Sequence, residues 1–158
     1  MHAPTSYSAI LSAPFAALGV RLMDGRLVGL DFLPPESAPS VAFDALADRV
    51  RVALSAYWDD PAYRFDLPLA PQGSPYRLKV WQALLDIPSG ETVTYAVLAR
   101  RIGSSARAVG QALGDNPLPI VIPCHRVVAA SGLGGFNHAR SGYSLDIKRW
   151  LLKHEGGL

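Results

Sequence analysis

The sequence predicts an α+β protein, with strands concentrated in the N-terminal part and a mainly helical C-terminal part, and three observations predict it. Two apolar runs, Pro14 to Leu22 and Arg26 to Leu33, flank Met23-Asp24-Gly25, and Asp-Gly between such runs is a hairpin signal. Further along, apolar residues recur at three- and four-residue spacing, the period of a helix with one buried face. Between these patterns, Pro68 to Gly73 (PLAPQG) reads as a linker. The expected division is into domains 1–70 and 71–158.

Each element has a local reason. Pro34-Pro35 stops the second strand, because proline removes a ladder donor. Val41 to Trp58 follows as a helix whose apolar face is Phe43, Leu46, Val50, Leu54 and Tyr57. Tyr63 to Leu67 is expected as a short further strand. After the linker, Ser74 is an N-cap and Pro75 occupies the first helical position. That helix is expected to reach about Asp86 and to bury Val80, Trp81, Leu84 and Leu85, with Pro88-Ser89-Gly90 ending it. Thr94 caps a helix from Tyr95 to Ile102, Gly103-Ser104-Ser105 turns the chain, and Ala106 to Leu113 forms another short helix. Two short helices about a tight glycine-containing turn suggest a helix-turn-helix, although small domains use the same turn merely to pack. Pro117, Pro119 and Pro123 then stiffen the approach to Cys124. A glycine-rich loop, Ser131 to Gly142, leads into a final helix from Ser144 to His154.

Composition narrows the class. The chain has 158 residues, 49% of them hydrophobic, so it can bury a core. A net charge of +2 permits nucleic-acid binding without requiring it. One cysteine excludes an internal disulfide and any zinc site built on two or more thiolates, and no metal is expected. The N-terminus lacks a basic segment followed by an apolar core, and no run reaches membrane-spanning length. A cytoplasmic protein without a membrane partner is expected.

Cys124 admits two readings. A lone buried cysteine is usually a small core hydrophobe. Against that stand the rigid approach and the adjacent His125 and Arg126, since cationic or proton-accepting neighbours lower a thiol pKa and the thiolate is the nucleophile. Side chains alternate along an extended segment, so His125 is expected to reach the sulfur through a bridging water. A histidine base needs an orienting group on its far nitrogen, and Glu155 is the candidate, set against the plain reading of a solvated acid at a helix end. Arg107 lies between Ala106 and Ala108 with Gly110 one turn on. Small neighbours let a helix approach another surface, where the arginine would project into a duplex; the bland alternative is an exposed arginine on a closely packed helix.

Taken together, these residues make the chain resemble the methylated-DNA–protein-cysteine methyltransferases, also called O6-alkylguanine-DNA alkyltransferases. Pro-Cys-His-Arg-Val at 123–127 is that family's signature. In chain order it is supported by Val80-Trp81-Gln82-Ala83-Leu84, Ile87 to Tyr95, Arg107-Ala108-Val109-Gly110, Asn116-Pro117, Lys148, and Trp150 to Gly156. The likeness covers Gly73 to Gly156 well and residues 1–70 in outline. It implies an N-terminal ribonuclease-H-like α/β domain and a C-terminal domain with a helix-turn-helix. The implied activity is single-turnover transfer of an alkyl group from O6-alkylguanine in DNA, with O4-alkylthymine as a second candidate substrate, to Cys124. No cofactor is implied; the implied partner is double-stranded DNA met from its minor-groove side by a monomer.

The resemblance also implies roles. Cys124 would accept the alkyl group, His125 would be its water-linked base, Glu155 would polarise His125, and Asn116 would brace the turn. Arg107 would replace the flipped nucleotide, Tyr95 would crowd the adjacent phosphate, and Ala106, Ala108 and Gly110 would suit a helix in the minor groove. The Val127 backbone would hold the guanine, and either Phe136 or Tyr143 would fill the family's tyrosine position. Two departures stand out. The turn at Gly103-Ser104-Ser105 is shorter than the family's usual form, and the loop from Gly134 to Tyr143 is longer. The longer loop is expected to gate the alkyl pocket, with His138 and Arg140 in reach of a phosphate. The competing reading is a non-catalytic alkyltransferase-like protein that binds alkylguanine DNA and recruits other repair factors; such relatives replace the motif's cysteine, which is present here as Cys124.

Overall fold

The computed structural model describes residues 7–40, 44–136 and 143–158, the Tyr143 side chain apart. The chain is a mixed helix-and-sheet protein in two compact units, Met1–Pro71 and Gln72–Leu158.

The first unit carries an antiparallel sheet in the order β1 (Ala9–Ser12), β2 (Ala17–Met23), β3 (Arg26–Leu33). Asp24 and Gly25 both have positive φ, 52° and 73°, and Met23 pairs with Arg26, so the Asp-Gly hairpin closes as a two-residue turn of the primed type. Pro14 and Phe15 lie outside the strand expected over 14–22, and β1 is an additional strand. α1 runs Ala45–Asp59, starting later than expected. Asp44 is its N-cap, accepting from the Leu46 and Ala47 amides, which gives the first turn its missing partners. Its buried residues are Ala47, Val50, Ala53, Leu54 and Tyr57; the expected starting residues Val41 and Phe43 lie outside the described residues. Tyr63 to Leu67 forms no strand. Those residues are held by side chains instead: Phe65 packs on Tyr57 and edge-on against Tyr63. The chain then returns to the sheet two residues later, where Leu69 bridges Leu27. Half of the expected linker is therefore sheet edge.

The second unit is built on helices. Ser74 caps α2 (Pro75–Leu84), which buries Val80, Trp81 and Leu84. Leu85 is the C-cap and is 40% exposed, so the helix ends before the residue expected to extend its buried face. Trp81 Nε1 donates to the Ala112 carbonyl at 2.8 Å, giving the buried indole a partner. Thr94 caps α3 (Tyr95–Ile102), Gly103 closes it in the left-handed conformation at φ 67°, and Ser105 caps α4 (Ala106–Gly114). Tyr76 and Ser104 hydroxyls meet at 2.6 Å, tying the α3–α4 turn to α2. An unexpected parallel pair joins β4 (Val93–Thr94) to β5 (Val127–Val128). It sets the residues after Cys124 beside the start of α3. α5 (Tyr143–Glu155) buries Ile147, Lys148, Leu151, Leu152 and Glu155 along one side. Among the described residues no helix is long and apolar enough to cross a membrane.

Candidate functional site

The approach to Cys124 is a braced loop. Asn116 Oδ1 accepts from the Leu118 amide at 3.0 Å, and its Nδ2 donates to the Ile122 carbonyl at 2.9 Å. The Ile122 amide donates to Leu118 O and the Cys124 amide to Ile122 O, each at 2.8 Å. Inside this bracket Ile120, 1% exposed, sits at φ 76°. A β-branched residue in the left-handed region costs about 1–3 kcal/mol, so the surrounding bonds and prolines must hold it there.

Cys124 to Arg126 form one turn of 3-10 helix, which corrects the expected extended segment with alternating side chains. Cys124 and His125 are both buried. His125 Nε2 lies 2.9 Å from Glu155 Oε2, so the candidate acid at the end of α5 does meet the histidine. A carboxylate accepts, which places the proton on Nε2 and leaves Nδ1 with the lone pair. Nδ1 is buried and has no hydrogen-bond partner among the described residues.

The charges around the sulfur differ from the expectation. Arg126 turns to Glu155, with Nε donating to Oε1 and Nη2 to Oε2, both at 2.9 Å, and Nη1 donating to the Ile87 carbonyl at 2.6 Å. The cation near the thiol is Lys148. Burial pushes the Cys124 pKa up, opposed by the Asn116 hydrogen bond and the Lys148 ammonium. The expected net lowering by neighbours is therefore corrected: desolvation outweighs them. Burial also lowers the His125 pKa; Glu155 opposes this, while Arg126 and Lys148 add to it. Lys148 falls to about 8, driven by burial and opposed by Cys124. Its Nζ donates to the Val127 carbonyl at 2.7 Å and the Gly135 carbonyl at 2.8 Å.

The remaining expected residues fall in two places. Val127 and Phe136 are buried beside the Cys124 turn and the Gly135 contact. Tyr95, at the start of α3, accepts from the Gly135 amide at 3.2 Å and donates to its carbonyl at 3.4 Å. Ala106, Arg107, Ala108 and Gly110 lie on α4, with Ala106 and Arg107 exposed. A Cβ added at Gly110 would meet nothing within 4 Å, so that surface is open. The choice between Phe136 and Tyr143, and the expected gate with His138 and Arg140, rest on the Tyr143 side chain and loop residues 137–142, which lie outside the described residues. Among the described residues no group of three His, Cys, Asp or Glu side chains could hold a metal ion.

Two residues of the cluster take roles that the sequence did not assign them. Lys148 carried a signal, a charge within the apolar stripe Ile147, Leu151, Leu152 of α5. Arg126 was read as a cation beside Cys124, because its actual partner lies 29 residues away.

The 6-O-methylguanine DNA methyltransferase, DNA binding domain, matches residues 75–157. A methylated-DNA–protein-cysteine methyltransferase of Methanosarcina mazei is 37% identical over 158 residues, covering 94% of this chain and 96% of that one. The Methanosarcina acetivorans protein of the same name is 46% identical over 107 residues, 65% of either chain. The crystal structure of Mycobacterium tuberculosis OGT in complex with DNA superposes with a TM-score of 0.74 at 35% identity, over 93% of this chain and 91% of that one. An O6-methylguanine DNA methyltransferase from Methanococcus jannaschii gives a TM-score of 0.68 at 30% identity, over 93% and 92%. With the Cys-His turn, the buried His–Glu pair and these likenesses together, the chain belongs to the methylated-DNA–protein-cysteine methyltransferase family.

Proposed function

We propose that this protein repairs DNA by moving an alkyl group from O6-alkylguanine to Cys124 in a single turnover. The observation that carries the reading is the sole cysteine on an Asn116-braced turn, directly followed by a buried histidine paired with Glu155. The thiol proton passes through a water to His125 Nδ1, the nitrogen left free by the Glu155 contact. Sγ then attacks the alkyl carbon, the carbon–O6 bond breaks, and guanine leaves as an anion that takes up a proton. The product is a thioether, which does not undergo thiol exchange, so the acceptor is consumed. No cofactor enters this balance.

The DNA side of the proposal rests on α3, its glycine-closed turn and α4 acting as a helix-turn-helix. The slim face of Ala106, Ala108 and Gly110 suits entry into the minor groove, with Arg107 filling the space of the extruded nucleotide and Tyr95 crowding its phosphate. Val127 and Phe136 line the base pocket. The three-stranded sheet with α1 is read as a ribonuclease-H-like N-terminal domain, residues 72–158 as the domain that binds DNA and accepts the alkyl group, and the protein as a cytoplasmic monomer.

The test is stoichiometric: excess duplex carrying one O6-methylguanine is mixed with protein and analysed by intact mass. One methyl group per molecule on Cys124, and none on Cys124→Ser, is expected. Tight binding without transfer would establish the non-catalytic reading instead.

A further inference from the structure

Among the described residues, His125 and Arg126 both meet the buried Glu155 carboxylate, and of these two Arg126 is the permanently charged one. The Glu155 side chain is 1% exposed, that of His125 0%, and that of Arg126 12%. A carboxylate so buried needs a cation beside it, or it takes up a proton. Histidine supplies that cation only by becoming imidazolium, and an imidazolium accepts no further proton. A guanidinium stays charged throughout the working pH range. Here its fork spans both carboxylate oxygens, Nε to Oε1 and Nη2 to Oε2, and its third nitrogen is anchored on the Ile87 carbonyl. That anchor lies at the turn after α2. The same turn packs on the end of α5, since a Cβ at Gly90 would lie 3.1 Å from the Glu155 backbone oxygen.

We infer that Arg126 is a positioning residue for the transfer: it supplies the cation that buried Glu155 requires, so that His125 stays neutral and available as the base. The inference rests on the proposed base role of His125. Among the described residues, the charged groups acting on His125 are Arg126 from its own turn and Lys148 and Glu155 from α5. Of these only Glu155 favours the imidazolium, and Arg126 occupies both of its oxygens. Without Arg126 the pull of Glu155 on a His125 proton goes unopposed from that side, and the relay begins with more of its acceptor already filled. A purely structural Arg126 would slow transfer equally at every pH; one that sets the charge of His125 acts mainly on the acid side.

The experiment measures single-turnover transfer from an O6-methylguanine duplex between about pH 5.5 and 9, with His125 titrated by NMR in the same proteins. In Arg126→Met, transfer is expected to fall about tenfold near pH 6.5, where imidazole ordinarily titrates, and to stay within about threefold of the parent near pH 8.5. His125 should take up its proton at higher pH than in the parent. Arg126→Lys, which keeps the charge without the fork, should recover much of the loss. The double variant Arg126→Met, Glu155→Gln removes the anion as well, so its acid limb should return toward the parent's. Equal slowing at all pH values, or an unmoved His125 titration in Arg126→Met, overturns the inference. If Arg126→Met does not fold, Arg126→Gln, which keeps a donor to Glu155 without the charge, is read on the same criterion. Failure of the underlying reading is separately visible, because the parent itself would then transfer nothing to Cys124.

Discussion

Asn116→Ala should cost the second unit about 2–4 kcal/mol and slow transfer as well. The magnitude follows from what each lost bond leaves behind. The Leu118 amide, on a fully buried residue, has Asn116 Oδ1 at 3.0 Å as its partner, and stranding a buried donor costs about 1–3 kcal/mol. The Ile122 carbonyl loses the Asn116 amide at 2.9 Å but keeps the Cys124 amide at 2.8 Å, so its loss is nearer the ordinary net value of about 1 kcal/mol. The same bracket confines Ile120 to its left-handed conformation, so loosening it relieves strain by moving the loop, and with it Cys124. The hydrogen bond from Asn116 also favours the thiolate, and its removal lets burial push the thiol pKa higher still. Urea unfolding and single-turnover transfer on an O6-methylguanine duplex provide the two readouts. A variant within about 0.5 kcal/mol of the parent and equally fast would refute the bracket as the device that holds Cys124, since surface-like tolerance is not expected of a buried network.

Arg107→Ala should impair repair of a paired base at least about tenfold more than reaction with free O6-benzylguanine, because only the duplex demands extrusion, which costs a few kcal/mol; equal losses on both substrates would remove the intercalating role. Gly110→Ala should separate folding from binding. With nothing within 4 Å of the added Cβ, the helix should gain about 0.5–1 kcal/mol in thermal or urea unfolding, while affinity for alkylated duplex drops.

What the sequence disclosed was what neighbours in the chain decide. The Asp24-Gly25 turn and the caps at Ser74 and Thr94 are local chemistry, and each sits where its residue type demands. β1 escaped notice because four residues with one intermediate and one exposed side chain carry little periodicity without their partner. β4 and β5 are two residues each and pair Val93 with Val127, a contact no window along the chain contains. The site divides the same way. Cys124 and His125 are adjacent and therefore visible, whereas the Glu155 contact spans 30 residues, so from the sequence it stood only as a candidate beside the plain reading of a solvated acid. The charge around the sulfur was misassigned because proximity in sequence stood in for proximity in space. Arg126, two residues from Cys124, faces away to Glu155, and Lys148, from a different helix, faces the thiol.

That reassignment leads to a pH prediction. The Glu155 and Arg126 charges cancel, so with Cys124 as a thiol the site carries the single positive charge of Lys148. Passing the thiol proton to His125 leaves that net charge unchanged, and the ammonium is what makes the buried thiolate tolerable. Lys148 has a folded value of about 8, so it is mostly charged at neutral pH and loses its proton as pH rises through that value. Above it, the hydroxide that helps ionise Cys124 also removes its counter-charge, and the two titrations become steps of one coupled pair. The transfer rate should therefore rise with pH through neutrality and then bend over near pH 8. The bend is electrostatic, since a neutral amine still has two N–H groups for the Val127 and Gly135 carbonyls and the local geometry is kept. Lys148→Met should transfer about tenfold or more slowly at neutral pH, an opposite charge nearby being worth about 1–3 pKa units, and its profile should lack the bend. A parent rate that climbs in proportion to hydroxide through about pH 9.5, well past the ordinary cysteine value, would show that Lys148 does not support the thiolate.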